Sequence, residues 1–274
     1  MGTLFIVATP IGNLEDLSPR AERVLREVGL IAAEDTRVTR KLLNHIDAAT
    51  RTVSYHEHSG PRSAKRVLEA LDAGDVALVT DAGSPVISDP GAALIDQASA
   101  AGHQIVTVPG PSAVTAALSV SGFTADSFTF IGFLPRNKAA RQATLRSARD
   151  RSETTICFEA PHRIRKTLQQ MAETLPDRRI SVSRELSKLH EETYRGTAAG
   201  ALRHFEEPRG EFTIVILGAE TPETGPSDAE IAEVVAELRS GGLAGRRLVD
   251  EATARTGASR SRVYRLELDS RGGE

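Results

Sequence analysis

The sequence has almost none of the residues that form covalent cross-links or soft-metal sites. Cys157 is the only cysteine among the 274 residues, so an internal disulfide and a cysteine-based zinc cluster are both excluded. Its apolar surroundings predict a small core residue. No apolar run approaches the roughly 18 residues of a membrane-spanning helix, and the N-terminus lacks the basic and apolar regions of a signal peptide. We therefore expect a soluble, cytoplasmic protein.

The chain also lacks a strong excess of either charge. Its 34 basic and 37 acidic residues give a net charge of −3, so the chain as a whole carries no signal for nucleic-acid binding. Segment 136–151 has six basic residues against one acid, and segment 239–265 has seven arginines against two acids, so each is net +5. This asymmetry is typical of a polyanion-binding face, but an ordinary solvated helix face is commoner.

Two nucleotide-binding signatures and a metal-ligand cluster are missing. Neither the dinucleotide fingerprint G-x-G-x-x-G nor a Walker loop occurs, so the sequence gives no sign of an NAD or ATP site built with those devices. His56 and His58 alternate at a strand end without a cysteine or a third histidine nearby. We therefore predict no metal site.

The pattern of apolar runs predicts an α/β protein of three parts. Up to residue 119, short buried strands alternate with helices, which is the signature of a parallel sheet. Residues 120–218 contain more strands and fewer helices, which predicts a second α/β domain with a mixed sheet. A Pro/Gly/Thr linker at 219–226 leads to residues 227–274, whose helices have helix-turn-helix spacing. Nucleic-acid contact and plain helix packing both remain open for this last segment.

Three turns rich in glycine, proline and serine follow three predicted strands, at residues 9–13, 81–85 and 109–113. Ligands of open α/β sheets bind beyond the carboxyl ends of the strands, so the turns would converge on one cleft if their strands are neighbours. Asp81 stands where a buried strand ends, and Gly83 would allow a ligand close to the backbone. The alternative is a structural turn in which Asp81 caps the loop.

Seven ordered motifs together carry a family resemblance. They are ATPIGNLEDLSPRA (8–21), AAEDTR (32–37), VTDAGSPVISDPG (79–91), VPGPSA (108–113), GFLPR (132–136), FEAPHR (158–163) and ELSKLHEE (185–192). They resemble the tetrapyrrole-methylase superfamily and closely match its ribosomal small-subunit RNA methyltransferases. The resemblance covers essentially the whole chain. It implies a two-domain α/β homodimer that uses S-adenosylmethionine to methylate a cytidine ribose 2′-hydroxyl in the decoding centre of small-subunit (16S) rRNA.

The resemblance also suggests roles for individual residues. The expected cofactor contacts are Ile11, Asp81, Ser84, Ser112, Ala113, Phe158 and Thr213. The candidate catalytic residues are Lys188, Glu34, Asp35 and Glu159. The candidate RNA contacts are Arg37, Arg136, Lys138, Arg141, Arg260 and Arg262. For each catalytic candidate the alternative is a salt bridge or a helix cap. Lys188 could stabilise a forming alkoxide, act as a neutral base, or pair with Glu185, Glu191 or Glu192.

Two other functions remain open. The same cofactor cleft could serve the methylation of a small tetrapyrrole, although such an acidic macrocycle does not require the basic helix or the C-terminal arginines. The chain could also be an RNA-binding module without catalysis. The presence of Asp81, Ser84, Ser112 and the motif at 185–192 argues against that reading.

Overall fold

The computed structural model describes residues 1–56, 60–219 and 226–270, with Pro61 described by its backbone alone. The chain divides into two compact units, residues 1–219 and residues 220–274. Most of the linker predicted at 219–226 lies outside the described residues. None of the described helices is both long enough and apolar enough to cross a membrane.

The first sheet is entirely parallel, as predicted. Its strands are β1 (Thr3–Val7), β2 (Leu30–Ala33), β3 (Thr52–Ser54), β4 (Val76–Val79) and β5 (Gln104–Val108). Their order is β3-β2-β4-β1-β5, so the strands that precede the three predicted turns, β1, β4 and β5, lie side by side. Every residue of β4 is buried, as expected of a strand covered on both faces by helices.

Five helices follow these strands, one after each strand. They are α1 (Pro19–Glu27), α2 (Thr36–His45), α3 (Pro61–Ala73), α4 (Ala92–Ala100) and α5 (Ala113–Ser121). The start of α1 follows the local sequence, because the Ser18 side chain accepts a hydrogen bond from the Ala21 N–H and Pro19 occupies the first turn. The short connections leave the carboxyl edge of the sheet open.

The second sheet is mixed, which is also as predicted. Its strands are β6 (Phe128–Phe133), β7 (Thr154–Glu159), β8 (Ile180–Arg184), β9 (Glu192–Gly196) and β10 (Phe212–Ile216). The order is β6-β7-β10-β8-β9. Only β6 and β7 are paired in parallel, and the other neighbours are antiparallel. Helices α6 (Lys138–Asp150), α7 (Pro161–Thr174) and α8 (Ala198–His204) accompany this sheet.

Helix α5 joins the two sheets. Val114, Ala117 and Leu118 of α5 pack with Ile156 and Val215 of the second sheet. The predicted domain division between residues 119 and 120 falls inside this helix and stays a prediction. The consequence for the site is that the helix after the third turn is anchored on the second sheet.

The C-terminal unit contains three helices with a core of their own. They are α9 (Asp228–Ser240), α10 (Gly245–Thr256) and α11 (Arg260–Asp269). Ser227 and Glu230 form a capping box at the start of α9. Ile231, Leu248 and Val263, one from each helix, are fully buried together.

Candidate functional site

The turns after β1 and β4 are locked together by backbone hydrogen bonds. The Thr9 N–H donates to the Gly83 carbonyl at 2.9 Å, and the Gly83 N–H donates to the Thr9 carbonyl at 3.0 Å. The Thr9 hydroxyl also donates to the Thr80 carbonyl at 3.1 Å. Gly83 has a φ of +82°, a conformation in which a side chain would be strained. The two turns therefore form one rigid rim.

A cleft of about 430 Å³ opens at this rim, between the first sheet and the second. All seven residues predicted to contact the cofactor line it: Ile11, Asp81, Ser84, Ser112, Ala113, Phe158 and Thr213. Two of the four catalytic candidates, Glu34 and Glu159, line it as well. Its size is in the range of small-molecule sites.

The wall on the second sheet is aromatic. Phe158 of β7 pairs in register with Thr213 of β10. The rings of Phe130 and Phe133 meet the ring of Phe158 edge-on, with centroids 4.9 Å and 5.5 Å away. Phe133 also lines the cleft and is 55% exposed. This wall offers flat apolar surface to a planar ring.

Helix α5 presents its N-terminus to the cleft. Ser112 is the residue before its first turn, and its side chain makes no capping hydrogen bond. The first backbone N–H groups of a helix have no partner within the helix, and the helix dipole makes such an end attractive to a carboxylate. The cleft therefore combines an apolar wall with a backbone end suited to a negative group.

Carboxylates line another edge of the cleft. The Asp81 carboxylate accepts a hydrogen bond from the Asp35 N–H at 3.0 Å, while the Asp81 N–H donates to Glu34 Oε2 at 3.3 Å. Burial raises the pKa of Asp81, and the Asp35 N–H offsets part of that effect. Burial also raises the pKa of Glu34, with the Asp81 charge adding to it. Asp81 both caps its neighbours and faces the cleft.

Asp35 does not suit the predicted role of proton acceptor. Its carboxylate accepts a hydrogen bond from the Arg37 N–H and so caps α2. The Arg37 guanidinium also donates to this carboxylate, with a shortest N···O distance of 2.6 Å. These hydrogen bonds lower the pKa of Asp35 to about 2. A carboxylate stabilised in this way binds a proton weakly, so we correct Asp35 to a helix cap.

Glu159 is also corrected, from a candidate catalytic residue to a structural one. Its side chain has no exposed surface and its oxygens are occupied: they accept from the Ala160 N–H at 2.9 Å and from the Thr167 hydroxyl at 2.6 Å. Arg163 Nε lies 3.1 Å from the same carboxylate. Glu159 therefore supports the wall of the cleft from behind, as a buried ion pair.

Lys188 lies outside the cleft lining and is held by two carboxylates. Its ammonium donates to Glu185 at 3.0 Å and to Glu211 at 2.9 Å. Burial alone would lower its pKa, but these two partners outweigh burial and raise it. The structure thus contradicts the neutral-base hypothesis for Lys188. The pairing with Glu185 was one of the predicted alternatives, whereas Glu211 was not foreseen.

Asp89 is the site residue that sequence reasoning missed. It lines the cleft, and its pKa is raised to about 7, first by burial and then by the charge of Glu34. Its loop bends sharply, because Val86 and Ser88 have φ angles of 77° and 67°, which is rare for non-glycine residues. Asp89 lies near the end of the same motif that contains Asp81, so a second acid in that stretch was the available signal.

The candidate RNA contacts around α6 divide into two groups. Arg136 and Lys138 are exposed, and in residues 1–56, 60–219 and 226–270 no carboxylate pairs with either side chain. Arg141 is only 7% exposed, and its guanidinium donates to Gln170 and to the carbonyls of Pro135 and Arg136. We therefore correct Arg141 to a structural residue.

The arginines of the C-terminal unit are largely paired within the unit. Residues 226–270 contain seven arginines and eight acids, so the excess of positive charge seen in 239–265 disappears over the folded unit. Arg260 pairs with Asp250, and Arg262 pairs with Asp228 at 2.6 Å. The other paired arginines are Arg239, Arg246, Arg255 and Arg265. Arg260 stays 55% exposed at its side chain, compared with 17% for Arg262.

Within the described part of the chain, no group of three metal-ligating side chains comes together. His58, the second histidine of the predicted strand end, lies outside the described residues. Arg37 is 88% exposed at its side chain while paired with Asp35.

The comparisons with known proteins agree with this fold. The family Tetrapyrrole (Corrin/Porphyrin) Methylases matches residues 3–201. The solved structure of the methyltransferase CobJ is 19% identical, has a TM-score of 0.62, and covers 82% of this chain and 98% of its own. The uroporphyrin-III C-methyl transferase of Thermus thermophilus, solved with S-adenyl homocysteine, is 18% identical with a TM-score of 0.56, and covers 79% of this chain and 97% of its own.

A curated relative extends the likeness to the whole chain. Ribosomal RNA small subunit methyltransferase I of Synechocystis sp. is 43% identical over 279 residues, which is 98% of both chains. Identity at this level over both units, together with the matching family and fold, confirms the prediction made from the seven motifs. The chain belongs to the tetrapyrrole methylase family.

Proposed function

We propose that this protein methylates the 2′-hydroxyl of a cytidine ribose in the decoding centre of small-subunit (16S) rRNA, with S-adenosylmethionine as its cofactor. The observation that carries the proposal is the single cleft in which three turns of the first sheet face the aromatic wall of the second. The substrate class follows from the relative that is 43% identical over 98% of both chains.

The residues of the cleft fit the cofactor. Phe158 and Ile11 give apolar surface for an adenine ring. The Asp81 carboxylate can accept hydrogen bonds from hydroxyl or amino groups, and the N-terminus of α5 at Ser112 and Ala113 suits the amino-acid carboxylate. When bound, S-adenosylmethionine supplies a methyl group on a positively charged sulfur, which is already electrophilic.

The work left to the chain is positioning and proton transfer. Placing a nucleophile in line with the methyl group and excluding water contribute much of the rate. A ribose hydroxyl is a poor nucleophile, so a nearby proton acceptor should help. Of the predicted candidates, Asp35 and Glu159 are occupied by hydrogen bonds and Lys188 is paired. Glu34 lines the cleft, where its carboxylate accepts a hydrogen bond from the Asp81 N–H.

Exposed cations next to the cleft suit the RNA backbone. Arg136 and Lys138 follow Phe133, which lines the cleft. Phosphate contacts of this kind orient an RNA without reading its sequence. We place Arg37 with them, at the carboxylate edge, and leave Arg260 and Arg262 as weaker candidates in the C-terminal unit.

A homodimer is part of the proposal. Leu189 is 93% exposed and Leu14 is 40% exposed, and Ser187 donates a hydrogen bond to Asp16 between the two segments that carry them. Exposed apolar side chains on two neighbouring segments suit a contact with a second copy of the chain. Light scattering of the purified protein tests this, and a monomer at micromolar concentration would contradict it.

The activity is tested with S-adenosylmethionine labelled in its methyl group. The protein is incubated with small ribosomal subunits, naked small-subunit rRNA or a porphyrinogen, and the RNA is digested to nucleosides. We expect label in 2′-O-methylcytidine. Label on the porphyrinogen would favour a small-tetrapyrrole methylase, and binding of RNA without any transfer would favour the inactive module.

A further inference from the structure

Asp89 occupies an unusual position between two hollows. It lines the cofactor cleft, and it also lines a second hollow of about 540 Å³ bordered by Tyr55, Lys65 and Gln97. Among the residues that the structure describes, it is the one side chain common to both linings. A group in that place can touch a cofactor on one side and a second reactant on the other.

Neighbouring groups at the ends of two strands change the pKa of Asp89. Burial raises its pKa first, the Glu34 charge raises it further, and the Asp81 charge adds to this. The Thr80 hydroxyl acts in the opposite direction and lowers the pKa. Tyr55, His56 and Lys65 are the other titratable side chains, among the described residues, that border the second hollow. The resulting pKa of about 7 is near the optimum for a group that accepts a proton at neutral pH.

Thr80 adds an independent observation. The residue is 2% exposed, and its hydroxyl has no hydrogen-bond partner of good geometry among the described residues. Buried hydroxyls without a partner are uncommon in native proteins. Here the hydroxyl lies close enough to Asp89 to affect its pKa, so a small shift of the Asp89 side chain would satisfy it.

The backbone holds this loop against both sheets. Gly91 follows Asp89 with a φ of +139°, and an added Cβ there would lie 2.8 Å from the Leu78 side chain. An added Cβ on Gly132 would lie 3.3 Å from the Ser88 hydroxyl. The loop is therefore pressed onto β4 at one end and reaches β6 at the other, which fixes the place of Asp89 at the cleft.

We propose that Asp89 accepts the proton of the ribose hydroxyl during methyl transfer. The ribose oxygen forms a bond to the methyl carbon while the carbon–sulfur bond breaks, with its electron pair going to sulfur. The hydroxyl proton passes to a carboxylate oxygen of Asp89. The products are a methyl ether, a neutral thioether and a carboxylic acid, so atoms and charge balance. This assignment rests on the proposed function.

The first test is the pH dependence of single-turnover methylation of small subunits. For the wild-type protein the rate should rise about tenfold per pH unit and level off near pH 7. Asp89→Asn should lower the plateau roughly 100-fold or more and remove the inflection. Asp96→Asn is the matched control, because Asp96 is exposed on α4 and lines neither hollow. Calorimetry should give cofactor affinities within about threefold for all three proteins.

The second test does not depend on activity. In the cofactor-free protein with ¹³C-labelled aspartate, one carboxyl resonance should titrate near pH 7 and be missing in Asp89→Asn. Thr80→Val should move this titration to higher pH, because it removes the hydroxyl that lowers the pKa. Glu34→Gln should move it to lower pH, because it removes a charge that raises the pKa. The inflection of the rate profile should move in the same two directions.

The outcomes separate the two proposals. A wild-type protein that transfers no methyl group to rRNA would overturn the proposed function and this assignment with it. A wild-type protein that methylates subunits, with Asp89→Asn active within a few-fold and an unchanged pH profile, would overturn the assignment alone. If Asp89→Asn does not fold, the pH profiles of Thr80→Val and Glu34→Gln provide the test. A rate inflection at the wild-type pH in both variants would contradict a role for Asp89.

Discussion

Replacing Asp89 by asparagine should stabilise the protein above neutral pH. The pKa of this carboxyl is about 7 in the folded protein, compared with 3.8 for an ordinary aspartate. One pH unit of difference corresponds to about 1.4 kcal/mol, so the folded state would lose about 4 kcal/mol when Asp89 ionises. The side chain keeps partial contact with solvent, which screens the charges around it. We therefore expect about half of that value, about 2 kcal/mol.

The sign follows from proton linkage. Because the folded-state pKa is raised, the unfolded chain loses its proton first as the pH increases, and stability falls between about pH 4 and pH 7. Asparagine cannot ionise and avoids this loss. The gain of Asp89→Asn should be complete above pH 7 and shrink toward zero as the pH falls to about 4.

Thermal unfolding followed by circular dichroism measures this difference. For a unit the size of residues 1–219, about 2 kcal/mol corresponds to an increase in Tm of about 4–8 °C at pH 8. Asp96→Asn serves as the control and should change the Tm little at any pH. A Tm of Asp89→Asn equal to or below that of the wild type at pH 8 would refute the electrostatic reasoning.

Four other changes probe the site and its supports. Asp81→Ala should weaken S-adenosylmethionine binding by about 1–3 kcal/mol in calorimetry, and an unchanged affinity in the folded variant would remove Asp81 from the cofactor contacts. Lys188→Ala should leave the single-turnover rate within a few-fold of wild type while lowering the Tm, since Glu185 and Glu211 lose their shared partner; a loss of roughly 100-fold would restore a catalytic role. Arg141→Met should lower the free energy of unfolding by about 1–3 kcal/mol in urea, because Gln170 and two carbonyls lose a buried donor; subunit affinity should stay constant, and a selective loss of affinity would argue for RNA contact. Replacing Arg136 and Lys138 together by alanine should weaken subunit binding and reduce the slope of log affinity against log salt by roughly 2, which filter binding at several salt concentrations measures, and an unchanged slope would exclude both from the phosphate contacts.

The parts of the fold that sequence could predict are those with local signals. The run at 76–79 is apolar throughout and ends at Thr80, after which glycine and proline force a turn. Three such strand-and-turn pairs predicted one cleft on the condition that their strands are neighbours, and the order β4-β1-β5 meets that condition. The family resemblance predicted cofactor contacts from both sheets, including Phe158 and Thr213, and both residues line the cleft.

What sequence could not predict depends on partners that are distant along the chain. Arg141 looked like part of a basic surface, yet Gln170 of α7 and the preceding loop enclose it. Lys188 lies next to Glu211, which follows it by 23 residues, only after the strands are assembled. Helical periodicity places a residue on one face, but which element covers that face is a tertiary property.

The charge of the C-terminal unit shows that a net charge depends on which segment of the chain is counted. The excess of arginine in 239–265 is genuine, but the acids that balance it lie on α9 and at the end of α11, outside that window. Asp228 pairs with Arg262, and Glu267 with Arg239. A net charge describes a binding surface only after the unit of folding is known.

The position of β10 in the second sheet has a consequence for synthesis of the chain. This strand is the last of its sheet to be made, yet it lies between β7 and β8, and Thr213 faces Phe158 across one of those pairings. While the ribosome is still extending the chain toward residue 212, β7 and β8 therefore have no shared neighbour, and their edges are open to wrong partners. The first sheet can form once residue 108 has emerged, but β10, which pairs Thr213 with Phe158, is added only after some hundred further residues have been translated. A nascent chain that ends before β10 thus has the three turns and the aromatic residues of β6 and β7, but lacks Thr213 beside Phe158.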